Sequence, residues 1–208
     1  ADTIKSSGEA LLLIINDVLD YSKIEAGKLD LHEEPFDLER CIYELVTLMQ
    51  VNCRDKGVEL LVEYDMFLPG RFVGDPGRIR QVLTNLIGNA VKFTPAGEIC
   101  LYAEVQTEVQ TPGSELRIGV RDTGPGMDSK QLRLARQRYQ QGELASEGVG
   151  LGLPISHGIL HAHGSALEID STPGKGTDCH FALPQAEATA SPSVSPMENA
   201  IPAPRPVP

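Results

Sequence analysis

The chain has 208 residues, 41% of them hydrophobic, with 18 Lys and Arg against 29 Asp and Glu and a formal net charge of −11. That is enough apolar material for one domain with additions, while the acidic balance excludes nucleic acid as a main partner, because phosphate binding wants a basic footprint. The longest run of large aliphatic residues, Leu11–Ile15, is far short of the roughly 20 residues a membrane-spanning helix needs, and no signal-peptide pattern opens the chain.

In chain order, residues 1–26 contain no Pro and one Gly, and Ile4, Leu11, Ile15 and Val18 recur at the spacing of one helix face, widened by Leu12 and Leu19. This predicts a long helix closed by a left-handed turn at Gly27. Its apolar face calls for several packing partners, so the helix is expected to come from a bundle completed outside this chain. Residues 28–32 alternate in a strand-like way. Asp37 is a predicted N-cap for a helix to about Lys56, followed by Gly57. Val58–Tyr64 reads as a strand. Asp75-Pro76 is an N-cap with proline at the first helical position, predicting a helix from Pro76 to about Phe93.

Beyond a turn at Thr94–Gly97, two strands are expected at Glu98–Thr107 and Ser114–Arg121, joined at Thr111-Pro112-Gly113. A short helix near Ser129–Arg138 and another over Leu151–His163 follow. The last hairpin joins Ser165–Ser171 to Thr177–Pro184 across Pro173–Gly176. Antiparallel strands with helices on one face predict an α+β two-layer sandwich. Residues 185–208 hold six prolines and almost no large apolar residue, the composition of a disordered linker. The expected division is therefore 1–27 (bundle helix), 28–184 (the α+β domain) and 185–208 (linker). Cys41, Cys53, Cys100 and Cys179 form no CxxC pair and read as reduced thiols of a cytosolic protein.

Candidate chemistry begins on the helix from Pro76. Ile79, Leu83, Leu86 and Ala90 form one stripe, while Asn85, Asn89 and Lys92 form another at i, i+4 and i+7. An amide oxygen suits Mg²⁺ and a lysine supplies a point charge, a pairing fit for a triphosphate and its metal. Two glycine clusters join them. Asp122-Thr123-Gly124-Pro125-Gly126 closes a strand, and Gly148-Val149-Gly150-Leu151-Gly152 opens a helix. Glycines let backbone N–H groups come close to anionic oxygens. Gly174-Lys175-Gly176-Thr177 lacks Walker A spacing, and Gly148–Gly152 lacks the preceding strand of a dinucleotide fingerprint. His157, His161, His163, His180 and Cys179 read as ordinary surface or core residues rather than a zinc site.

The segment N85-L-I-G-N89-A-V-K92-F93-T resembles the N box of sensor histidine kinases, D122-T-G124-P-G126 their G1 box, and G148-V-G150-L-G152-L their G2 box. The order and spacing resemble the Bergerat-fold (GHKL) ATPases. The first helix, ending D20-Y-S-K-I-E-A-G27, resembles the second helix of the dimerisation and phosphotransfer domain of hybrid kinases. The resemblance implies a Bergerat fold binding ATP and Mg²⁺. Asn89 would ligate Mg²⁺, and Asn85 would hydrogen-bond in the phosphate region. Lys92 would meet phosphate, Phe93 would line the pocket, and Asp122 would read adenine. Gly124, Gly126, Gly148, Gly150 and Gly152 would shape the pocket and lid. An amide at Asn85, where hydrolytic relatives place Glu, disfavours water activation and favours transfer to a histidine.

The resemblance further implies two-component signalling, with the γ-phosphoryl group passing to a histidine absent from this chain and thence to a receiver aspartate. Kinase dimers would form through the first helix, as a homodimer or a kinase heterodimer. The fragment would be the cytoplasmic portion, itself making no membrane contact, of a sensor anchored in a bacterial inner membrane. Three departures accompany it. The acceptor histidine box is missing, and His32-Glu33-Glu34-Pro35 echoes it only superficially, after the helix. Ala135–Arg138 stands where an F box is expected. The lid segment Gln141–Glu147 is short and carries Glu143 and Glu147. These raise an alternative, a weakened kinase-like module that regulates another sensor kinase, as in RetS-like orphan hybrid sensors.

Overall fold

A computed structural model of the chain describes residues 2–68, 70–105, 115–141 and 151–184. Helix α1 (Asp2–Glu25) ends as its sequence predicts. The Gly27 N–H donates to Ile24 O at 2.9 Å and the Lys28 N–H to Lys23 O at 2.8 Å. With Gly27 at φ 61°, these two bonds make a Schellman motif. Among the described side chains of α1, Tyr21 and Ile24 at its C-terminal end pack on the core, while Leu11, Leu12, Ile15, Val18 and Leu19 are exposed.

Residues 28–32 form no strand and pair with none. Leu29 packs against the core. The alternation there therefore reflects a chain lying over helices, not a ladder. Pairing starts later, where β1 (Glu34–Phe36) meets β3 (Phe72–Gly74) antiparallel and the Phe36 and Phe72 rings lie 6.4 Å apart. Helix α2 (Leu38–Asp55) is capped by Asp37, whose Oδ1 accepts the Arg40 N–H at 2.9 Å. Gly57, at φ 72°, turns the chain into β2 (Val58–Tyr64). Helix α3 (Pro76–Phe93) is capped by Asp75, which accepts from the Arg78 N–H and, through its other oxygen, from the His32 N–H.

The remaining elements are β4 (Gly97–Val105), β5 (Glu115–Asp122), α4 (Ser129–Gln141), α5 (Gly152–Ala162), β6 (Leu167–Thr172) and β7 (Gly176–Pro184). The main sheet has the order β2-β4-β5-β7-β6. The expectation of antiparallel strands holds for β4-β5-β7-β6, but β2 and β4 are parallel. The crossover through α3 returns the chain to the starting end of its neighbour, which a hairpin cannot do. The core lies between one sheet face (Ile99, Leu101, Ile118, Val120, Phe181) and the stripes Ile42 and Leu45 of α2, Ile79, Leu83 and Leu86 of α3, and Ile155 and Ile159 of α5. The fold is an α+β sandwich of helices on a mixed sheet.

Candidate nucleotide site

The buried stripe of α3 seats that helix on the sheet and so sets the direction of its other stripe. Asn85 and Asn89 are half-buried, and Lys92 is exposed. Asn85 to Lys92 spans about 10 Å of helix at 1.5 Å per residue. Phe93 is 54% exposed, with the Lys92 ammonium 5.3 Å from its ring centroid.

Asn85 does more than the sequence suggests. Its Nδ2 donates to Gly152 O at 3.1 Å and to Ser156 Oγ at 3.2 Å, both on α5. A Cβ at Gly152 would stand 3.2 Å from Asn85 Cγ, so a side chain there would crowd the amide by a few tenths of an ångström. The Asn85 amide nitrogen is thus spent on holding the start of α5 beside α3. Gly148 and Gly150, with most of the lid segment, lie outside the described residues.

Asp122 ends β5 with its side chain on the helix-facing side of the sheet and is 9% exposed. Oδ1 accepts the Gly124 N–H at 2.8 Å. Burial pushes the carboxyl above the usual carboxylate range, against the opposing pull of the Gly124 and Thr177 N–H groups. Thr94, which caps α3, is fully buried, and its hydroxyl, close to the Asp122 carboxyl, joins the two N–H groups in opposing that rise. A Cβ at Gly124 would come within 2.8 Å of Asp122 Oδ1 and 3.1 Å of Thr94 Oγ1, so the end of α3 and the end of β5 meet there. Gly126 (φ 65°) backs onto Thr172 O, and Gly176 (φ 100°) onto Asp122 O, each too closely to admit a side chain.

Sequence reasoning missed Thr94, Ser156, Gly176 and Thr177. Only Thr94 carried a local signal, as the residue after Phe93. Gly176 and Thr177, expected only as the end of a hairpin turn and the first residue of the next strand, both open β7 and support Asp122 from it. Cys179, two residues along, has its thiol pushed up to about 12 by burial, with Asp122 adding repulsion, so it is not a nucleophile here.

Other groups stay apart from this hollow. Among the described residues no cluster of three or more His, Cys, Asp or Glu could hold a metal. The His157 and His161 rings stack, while the His163 Nε2 accepts from the Asp75 N–H and so braces the start of α3. His32 precedes β1, outside any helix. A cavity of about 760 Å³ opens between Ile24, Leu29, Leu31, Pro154 and His157. It contains neither Asp122 nor the asparagines. No helix among the described residues is long and apolar enough to cross a membrane.

Residues 74–187 match the histidine kinase-, DNA gyrase B-, and HSP90-like ATPase family. The sensor protein GacS of Pseudomonas syringae pv. syringae is 40% identical over 185 residues, which cover 87% of this chain and 20% of GacS. The signal transduction histidine-protein kinase BarA of Escherichia coli K12 is 38% identical over 184 residues, covering 86% of this chain and 20% of BarA. This chain thus spans about a fifth of the length of these relatives. The crystal structure of full-length ShkA in complex with AMPPNP superposes with a TM-score of 0.76 at 34% identity, over 90% of this chain and 38% of ShkA. The chain belongs to the histidine kinase-, DNA gyrase B-, and HSP90-like ATPases; it is homologous to sensor histidine kinases and has the Bergerat fold of their catalytic domains.

Proposed function

We propose that the hollow bounded by the second half of α3, the Asp122 end of β5 and the start of α5 binds Mg-ATP. In the whole protein it would deliver the γ-phosphoryl group to a histidine on a bundle helix that this chain does not contain, and from there to a receiver aspartate. The observation that carries this reading is the meeting of three sequence-distant segments: Asn85 against Gly152, and Thr94 against Asp122 and Gly124. A buried carboxylate acceptor beside a buried hydroxyl suits the amine edge of a purine and a bridging water. The AMPPNP complex of ShkA supports nucleotide as the ligand.

In this reading Asp122 accepts the adenine amine, and Phe93 covers the base. Asn89 and Lys92 face the phosphates, with Gly124, Gly126, Gly148, Gly150 and Gly152 shaping the pocket and its lid. Asn89 is the residue to hold magnesium, which when bound neutralises phosphate charge and aligns the oxygens. Asn85 cannot act as a base, since an amide takes up no proton at neutral pH and its nitrogen is already committed to α5. The chain's own residues therefore position and neutralise rather than activate water. We assign 1–27 to a bundle helix, 28–184 to the ATP-binding domain and 185–208 to a linker. Kinase pairing would bury the exposed apolar side chains of α1. The regulator alternative is not favoured by kinases as close as GacS and BarA.

The test is incubation of this chain with γ-labelled ATP, magnesium and a separate bundle helix bearing an acceptor histidine. Label on that histidine is expected. No label on the helix, with no Mg-AMPPNP binding by calorimetry, would overturn the proposal.

A further inference from the structure

The last turn of a helix leaves carbonyls without intrahelical partners, and they present partial negative charge. For α3 this is a specific problem. Its last turn carries Lys92 and Phe93 and follows Asn89, the side chains that the proposed reading turns towards a polyanionic ligand. Ala90 O is satisfied by the Thr94 N–H at 2.9 Å. Val91 O and Lys92 O are both met from outside the helix, by the ammonium of Lys56, at 2.8 Å for Lys92 O.

Lys56 is itself held in place. It is the C-cap of α2, with its N–H bonded to Cys53 O at 3.1 Å, and the chain then turns at Gly57. Its backbone therefore sits at a fixed corner between α2 and β2, and its side chain crosses to another helix 35 residues further on. One cation accounts for two successive carbonyls at the end of α3 that bears the phosphate-facing groups.

We propose that Lys56 is a positioning residue for nucleotide binding. It clamps the C-terminal turn of α3 and cancels the negative end of that helix where phosphates must approach. This rests on the ATP-site reading given above. An α3 without the clamp would fray at Lys92 and Phe93 and would turn bare carbonyls towards the anion. Arginine keeps the charge and the donors, whereas methionine keeps only the apolar stem.

The experiment is calorimetric titration of the full chain and its K56M and K56R variants with Mg-AMPPNP and, separately, with AMP. Lys56 is exposed, so folding of K56M is expected, and circular dichroism with a melting curve checks it. K56M should weaken Mg-AMPPNP about 3- to 10-fold and AMP by clearly less, because only the former carries the β- and γ-phosphates. K56R should stay within about twofold of wild type. K56M affinity for Mg-AMPPNP within twofold of wild type would overturn the role of Lys56 while leaving the ATP site standing. Equal losses for AMP and AMPPNP would also overturn it, as a merely structural effect. No binding by the unaltered chain would remove the ATP-site reading and this proposal together.

Discussion

Replacing Asp122 by Asn changes one oxygen to an NH₂ group and removes a charge, with almost no change in volume. In the wild type, Oδ1 accepts the Gly124 N–H at 2.8 Å. An asparagine must give its single oxygen to that N–H, or leave the N–H facing a donor. Its NH₂ then points to where a purine amine would donate, and two donors oppose each other. A hydrogen bond to a charged acceptor contributes about 1.5–3 kcal/mol. At about 1.4 kcal/mol per decade, D122N should weaken Mg-AMPPNP roughly 10- to 150-fold. Fold stability should change little, because the burial cost that the amide removes is offset by the charged acceptor that the Gly124 and Thr177 N–H groups lose. Calorimetry with Mg-AMPPNP and Mg-GMPPNP, alongside a melting curve, reads both effects. The guanine carbonyl can accept from the new NH₂, so preference for adenine should narrow. Unchanged AMPPNP affinity in a folded D122N protein would refute the assignment of this carboxylate to the base.

Three further outcomes follow from the same geometry. Nucleotide affinity should decline as pH falls through the raised pKa of Asp122, starting above the range of an exposed aspartate, and D122N should remove that dependence. A pH-independent wild-type affinity between pH 4 and 8 would contradict this. N85A strips partners from Gly152 O and from Ser156, which is fully buried, so it should cost about 1–3 kcal/mol and weaken AMPPNP through a loosened start of α5. Differential scanning calorimetry showing an unshifted melting temperature would contradict it. G158A would drive a methyl group into Ile24 of α1, an overpacking expected to cost about 1–3 kcal/mol or to release α1 from α5. Hydrogen exchange at Ile24 and the melting temperature, if both unchanged, would show that the two helices are not packed as described.

How much of this was legible beforehand can be followed residue by residue. Asp37 and Asp75 announced α2 and α3 because an N-cap and its N–H partner lie three residues apart, and the sequence contains both. Gly27 and Gly57 announced the ends of α1 and α2 because a glycine in the left-handed region is a common way for a helix to stop. The three boxes were readable as residues, and two of them, with the first glycines of the third outside the described residues, now have a common location. The alternation at 28–32 misled, because a segment alternates its burial there without forming or pairing with a strand.

Local order thus came from the sequence itself: where helices begin and end, which stripe of α3 is apolar, and which residues stand in the N and G1 boxes. Such features depend on neighbours within a turn or two. Tertiary structure alone decided that β2 runs parallel to β4, and that the Asn85 amide is spent on α5. It also decided that Gly176 and Thr177 brace Asp122 and that Lys56 closes α3. Those partners are separated by 35 to 71 residues wherever a hydrogen bond records them. Their meeting depends on how the apolar stripes pack against one sheet face, and no local pattern encodes that.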